Sequence, residues 1–109
     1  MNDFKAIYRI LRYLSAAMSA EEYDPGAISP ERLKLPAERI EQIMILLQQD
    51  GYISGLAVTQ TLGDSYPHIA DGSVPRITLK GLEYLEENSM MKKAARAVKE
   101  IAEIGNLIP

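Results

Sequence analysis

Hydrophobic residues recur with helical spacing in the first half of the chain. Over residues 2–19 they fall on one side of a predicted amphipathic helix; they are Phe4, Ile7, Tyr8, Leu11, Leu14 and Met18. Over residues 37–49 they form a second predicted helix, with a buried stripe of Ile40, Ile43, Met44 and Leu47 and with Leu46 at its margin. Between the two, Ser29-Pro30-Glu31 has the residues of a helix start, and Pro36 ends this short helix because proline lacks an amide proton.

After residue 50 the hydrophobic period becomes strand-like. Gly51 is the predicted cap at the end of the third helix. Two strands are predicted, over Tyr52–Gln60 and Val74–Thr78. The stretch 61–73 between them is rich in Gly, Asp, Pro and Ser, which favours a loop.

Helical spacing returns in two C-terminal segments, Leu79–Asn88, capped by Thr78, and Met90–Ile104. A helix pair joined by a tight turn and followed by a β-hairpin is typical of a winged helix-turn-helix. We therefore predict one domain over residues 1–109, mainly α with a small β-hairpin (α+β), that carries an extra C-terminal helix. That helix, over residues 89–105, packs on the core or forms a dimer seam.

Composition narrows the class of protein. The chain has 109 residues, 25% of them charged, and no cysteine, which excludes disulfides and thiolate chemistry and fits a reducing compartment. Lys5, Arg9 and Arg12 interrupt the apolar N-terminal segment, so a signal peptide is not predicted. No apolar run is long enough to span a bilayer. These features predict a cytoplasmic protein without a membrane segment.

Three segments resemble known winged-helix proteins. Gln48–Ile53 resembles the passage from the third helix into the wing, and Ile77–Leu85 resembles the exit from the second wing strand, where Thr caps a helix and Gly allows close packing. The continuation Glu86–Lys93 resembles the YjcQ family, small winged-helix proteins of Firmicutes and their phages. The resemblance implies the fold and a phage or prophage setting, but it implies no catalytic residues. One departure is the Leu35-Pro36 junction, which leaves the second helix barely one turn long.

The third helix is the predicted recognition element. A helical wheel at about 100° per residue gives it an outward face; the members are Glu38, Glu41, Gln42, Ile45, Gln48 and Gln49. Gln42 and Gln48 are candidates to contact DNA, since glutamine reads adenine edges. Glu38, Glu41, Ile45 and Gln49 are the candidate surface for a protein partner, because Ile45 is a large apolar residue on a polar face.

Cations outside this helix give further candidate contacts. Arg76 and Lys80 lie near the hairpin and suit phosphate contacts. Two helices carry cationic positions that would merge into one basic surface if the last helix packs beside the first. They are Lys5, Arg9 and Arg12 in the first helix and Lys92, Lys93, Arg96 and Lys99 in the last.

No catalytic residues, metal site or cofactor site is predicted. No nucleophile lies near a base, and His68 with Asp71 lacks a third metal ligand. DNA and a protein are therefore the two candidate partners, for a dimeric DNA-associated regulator or for an interaction adaptor. The net charge of -3 does not favour DNA.

Overall fold

The computed structural model describes residues 2–19 and 24–89. It contains α1 (Asp3–Ala17), a 3-10 helix (Pro25–Ile28), α2 (Pro30–Leu33), α3 (Ala37–Gln49), β1 (Ile53–Ser54), β2 (Val58–Thr59), β3 (His68–Ile69) and β4 (Arg76–Ile77). A further helix, α4, begins at residue 79 and is described through residue 89. These elements confirm the α+β class. The predicted helix over residues 90–104 and its dimer seam lie outside the described residues.

Side-chain caps begin the first helices. The Asn2 side chain accepts a hydrogen bond from the Lys5 amide at 2.8 Å, and Ser29 Oγ accepts from the Arg32 amide at 3.4 Å. Pro30 occupies the first turn of α2, where a missing amide proton costs nothing. The single turn of α2 ends at Lys34, which adopts a left-handed conformation with φ of 54°, so the short second helix is confirmed.

The end of α3 shows why its boundary is sharp. The Tyr52 amide donates to the Leu47 carbonyl at 2.8 Å, and the Gly51 amide donates to the Gln48 carbonyl at 3.0 Å. This pair of bonds is a Schellman motif, which needs a left-handed residue, and Gly51 supplies it with φ of 86°. The predicted glycine cap is confirmed.

α4 is attached to the strand that precedes it. Thr78 Oγ1 accepts from the Gly81 amide at 3.2 Å and donates to the Gly51 carbonyl, which confirms the predicted cap. A Cβ atom at position 81 would lie 2.4 Å from the Tyr52 carbonyl oxygen. Only glycine allows α4 to approach β1 this closely.

The strands form two separate antiparallel ladders, whereas the sequence predicted one longer hairpin. β1 pairs with β4, with Ile53 opposite Ile77, and β2 pairs with β3, with Val58 opposite Ile69. The predicted loop over residues 61–73 is therefore wrong in its second half, because it contains β3. We call residues 58–69 the distal hairpin.

The two ladders are offset by a bulge. Residues 55–57 connect them on the outgoing side and residues 70–75 on the return side, so three residues face six. Gly55, with φ of 91°, allows the approach of the Val74 carbonyl oxygen, which would lie 2.6 Å from a Cβ atom. Such bulges bend a strand pair, and here the distal hairpin contacts α3.

We call the ladder of β1 and β4 the basal ladder. One hydrophobic core joins it to the helices. Its residues are Ile10, Leu11, Leu14, Ile28, Leu33, Ile40, Ile43, Met44, Leu47, Ile53, Leu56 and Ile77. Phe4 and Met18 were predicted to face inward, but both side chains are exposed, whereas Ala6 and Ile10 of α1 are buried. The prediction for Phe4 and Met18 is therefore wrong. No helix among the described residues is long and apolar enough to cross a bilayer.

Candidate nucleic-acid interface

α3 is buried on more sides than a recognition helix with one outward face would be. Ile45 is only 3% exposed, so its predicted outward position is wrong. The adjacent Leu46 is 58% exposed and borders a groove of about 260 Å³ together with Phe4 and Tyr84. The exposed apolar residue of α3 is therefore Leu46, and Ile45 is not available to a partner.

Gln48 is fully engaged with the chain that follows α3. Its Nε2 donates to the Leu56 carbonyl at 2.9 Å, and its Oε1 accepts from the Leu56 amide at 2.8 Å. This pair of hydrogen bonds holds the connection between the two ladders, where Leu56 has no strand partner. The side chain that we predicted to contact DNA thus replaces a missing β-ladder partner.

Glu41 and Gln42 bind the distal hairpin to α3. The Glu41 carboxylate lies 2.7 Å from His68 Nδ1 through Oε1 and accepts from the Ile69 amide at 3.2 Å through Oε2. Gln42 Nε2 donates to the Pro67 carbonyl at 3.2 Å. These three bonds lie within one turn of α3, so the polar residues at its centre face the hairpin.

The environment of His68 favours its protonated form. The hydrogen bond to Glu41 raises the pKa of His68 above its ordinary value of 6.5, and the negative charges of Glu41, Asp64 and Glu38 act in the same direction. Desolvation opposes them. Because the side chains of His68 and Glu41 are 42% and 26% exposed, solvent screens the pair and it is a weak tether.

The two cations near the basal ladder differ in their contacts. Lys80 Nζ donates to the Asp50 carbonyl at 2.7 Å and lies 4.6 Å from the centre of the Tyr52 ring. Its positive charge compensates the negative C-terminal end of the α3 helix dipole, so the Lys80 ammonium already has an intramolecular partner. Arg76 is exposed on β4 and lines a groove of about 430 Å³ beside Leu14 at the end of α1.

Arg39, at the N-terminal end of α3, is paired with α1. Its guanidinium forms two hydrogen bonds with the Asp3 carboxylate, one of them from Nε at 3.1 Å. These bonds hold the pKa of Asp3 below its ordinary value. Arg39 therefore does not compensate the acidic residues Glu38 and Glu41 as a free phosphate-binding cation would.

A second polar surface lies between α1 and α2. Arg9, Arg12 and Arg32 line one groove of about 330 Å³ with Tyr13. We call these three arginines the basic groove. Arg9 Nη1 donates to the Arg32 carbonyl at 3.5 Å, the outer limit of a hydrogen bond. Within residues 2–19 and 24–89, no carboxylate forms a salt bridge with any of the three.

The comparisons with known proteins identify the family. The sequence model of the family described as YjcQ protein matches residues 8–104, most of the chain. The chain belongs to the YjcQ family. No curated protein and no solved structure matches it.

In this YjcQ-family chain the predicted DNA contacts do not form one surface. Gln42 contacts the distal hairpin, Gln48 the connection between the ladders, and Lys80 the end of α3. The predicted partner-binding residues Glu38 and Gln49 are exposed, whereas Glu41 is half-buried against His68. Lys92, Lys93, Arg96 and Lys99 lie outside the described residues.

The basic surface predicted on the first helix gains a residue that the sequence did not indicate. Lys5, Arg9 and Arg12 are exposed, as expected. Arg32 joins the two arginines through the packing of α2 against the 3-10 helix and α1. A cation in a one-turn helix gives no periodic signal, so only the tertiary arrangement reveals this contact.

Proposed function

We propose that the protein is a non-catalytic, winged-helix DNA-associated protein that holds DNA by its phosphates through the basic groove. The observation that carries the proposal is the convergence of Arg9, Arg12 and Arg32, which have no ion-pair partner within the described residues. Guanidinium groups suit phosphate because their fork of donors matches its oxygens. Lys5 extends the same side of α1, because it lies four residues before Arg9, which lies three residues before Arg12.

The α3 surface does not support base reading. A recognition helix offers free polar side chains to base edges in the major groove, but Glu41, Gln42 and Gln48 are bonded to the chain itself. Glu38 and Glu41 also place negative charge where the groove walls would carry phosphates. Binding through phosphates alone has little sequence preference and depends strongly on salt.

The spacing along α1 suits a row of phosphates. Lys5 and Arg12 are seven positions apart, which is about 10 Å along the helix axis. One strand of B-DNA carries a phosphate about every 3.4 Å along the duplex axis, so the row spans about three phosphates. The net charge of -3 is compatible with this mode because the cations are concentrated on one side.

The test is the salt dependence of binding to a labelled duplex of mixed sequence, measured by fluorescence anisotropy. Each phosphate neutralised contributes about 0.9 to the slope of log K against log salt. The triple variant Arg9→Gln, Arg12→Gln and Arg32→Gln should lower the magnitude of that slope by about 2 to 3. An unchanged slope, or no binding by the wild-type protein at low salt, would contradict the proposal.

The matched control is Lys80→Gln, which removes one cation that does not line the basic groove. Lys80 is bonded to Asp50 and lies against Tyr52, so this variant should bind the duplex with the wild-type slope. If instead Lys80→Gln lowers the slope and the triple arginine variant does not, the DNA surface is the α3 side.

A further inference from the structure

The polar contacts between the distal hairpin and α3 are one ionisable pair and two backbone groups, and Ile69 also packs against the hydrophobic core. The Glu41 carboxylate reaches both His68 Nδ1 and the Ile69 amide, and Gln42 reaches the Pro67 carbonyl. All the hairpin groups belong to three consecutive residues, 67–69. The attachment is therefore local, and His68 lies at its centre.

The rest of the distal hairpin is weakly held. β2 and β3 have two residues each, and Val58 and Thr59 are exposed. An isolated two-stranded hairpin of this size is marginal in water. The bulge separates it from the basal ladder. Ala57 is hydrogen-bonded to Ala70 and Ser73 within this connection, and the contacts with α3 fix the orientation of the hairpin.

We propose that Glu41 and His68 form a proton-dependent clasp, which holds the distal hairpin tightly against α3 when His68 is protonated and loosens it when that proton is lost. Loosening would make Glu41 and Gln42 on α3 more accessible. The clasp shares no residue with the basic groove, which lies between α1 and α2.

The groups that face His68 all favour the protonated form. From α3 these are Glu41 and Glu38, and from the turn of the hairpin Asp64. The Tyr66 ring lies 5.3 Å from the imidazole, centre to centre, as a neutral neighbour. A neutral imidazole would keep a hydrogen bond to Glu41 but would lose the attraction of these three carboxylates.

The sequence makes a direct test simple, because the chain has one histidine and no cysteine. Its imidazole signals in a proton NMR titration report His68 alone. Spin labels at Gln49→Cys, on exposed α3, and Leu62→Cys, at the exposed hairpin turn, report the hairpin position by electron–electron resonance. The labelled protein is measured at about pH 5.5 and about pH 9, on either side of histidine titration.

We expect a narrow distance distribution at the lower pH and a broader, longer one at the higher pH. Glu41→Gln should give the broad distribution at both, and it should lower the midpoint of the His68 titration towards 6.5. The control Glu38→Gln removes a nearby charge that has no hydrogen bond to the hairpin in the described structure, and it should keep the pH-dependent distance change. A wild-type distance that is the same at both pH values, or a His68 midpoint unaffected by Glu41→Gln, would overturn the proposal.

Discussion

On the side of α3 that faces the distal hairpin, Glu41, Gln42 and Gln48 donate to or accept from the chain itself. On the side of α1 that faces α2, Arg9 and Arg12 share a groove with Arg32 and have no carboxylate partner among the described residues. In the sequence, both surfaces are predicted as polar faces of amphipathic helices. The difference is that the first is used for folding and the second remains available for binding.

This difference arises from the strand connection. The bulge between the ladders brings the distal hairpin against α3, where its backbone groups need partners. Side chains of α3 supply them. Leu11 of α1 and Leu33 of α2 belong to the same buried core, and the arginine side chains of these two helices lie at the surface. A helix surface is thus better judged by which backbone groups approach it than by its own residue types.

The largest expected effect separates two neighbouring residues of α3. Ile45→Glu buries an unpaired carboxylate and should lower the free energy of unfolding by about 4 kcal/mol or more. Leu46→Glu places the same charge at an exposed site and should change it by less than about 1 kcal/mol. Urea denaturation followed by circular dichroism measures both. Equal losses of unfolding free energy in the two variants would contradict the burial of Ile45 and the exposure of Leu46.

The next effect tests whether Gln48 supports the fold. Gln48→Ala leaves the Leu56 amide and carbonyl without their partners and should cost about 2 kcal/mol of stability. The control Gln49→Ala, at an exposed position, should change stability by less than about 0.5 kcal/mol. Thermal denaturation of the two variants provides the comparison, and indistinguishable melting temperatures would contradict the assigned role of Gln48.

The basic groove should give the opposite result. The combined variant Arg9→Gln, Arg12→Gln and Arg32→Gln should keep the free energy of unfolding within about 1 kcal/mol of wild type, because these side chains are exposed. The same variant is the one expected to lose duplex binding. If it unfolds at a much lower urea concentration, the arginines serve the fold and the contrast between the two surfaces fails.

The smallest effect is a pH dependence of stability. The pKa of His68 is raised in the folded protein, so its contribution is complete below the ordinary value of 6.5 and disappears as pH rises through the folded pKa. Urea midpoints of the wild type should therefore fall over this window more than those of His68→Gln. Parallel pH profiles of the two proteins would show that the imidazole is not coupled to folding.

Local signals in the sequence were sufficient to predict α1, α2, α3 and α4, but not the 3-10 helix over Pro25–Ile28. The Schellman glycine at position 51, the Ser29-Pro30 start and the Thr78 cap act on the residues beside them. Their positions therefore follow from short-range chemistry, and α3 begins and ends where its pattern predicts. The same holds for the close packing at Gly81.

Contacts between distant segments were not predictable in this way. Ile45 was placed outward because a helical wheel assumes one buried side, whereas α3 has a second neighbour in β3. β3 itself was missed because His68-Ile69 lies among Pro, Asp and Gly residues that favour a loop. Arg32 was missed because it reaches Arg9 only through the packing of separate helices.

The uneven connection of three residues against six separates the register of the distal hairpin from that of the basal ladder. In a continuous hairpin, a one-residue slip anywhere turns every side chain to the opposite side. Here a slip between Val58 and Ile69 would stop at the bulge, and Ile53 and Ile77 would stay inside. The turn of the distal hairpin can thus accept insertions and substitutions during evolution without changing the register of the basal ladder.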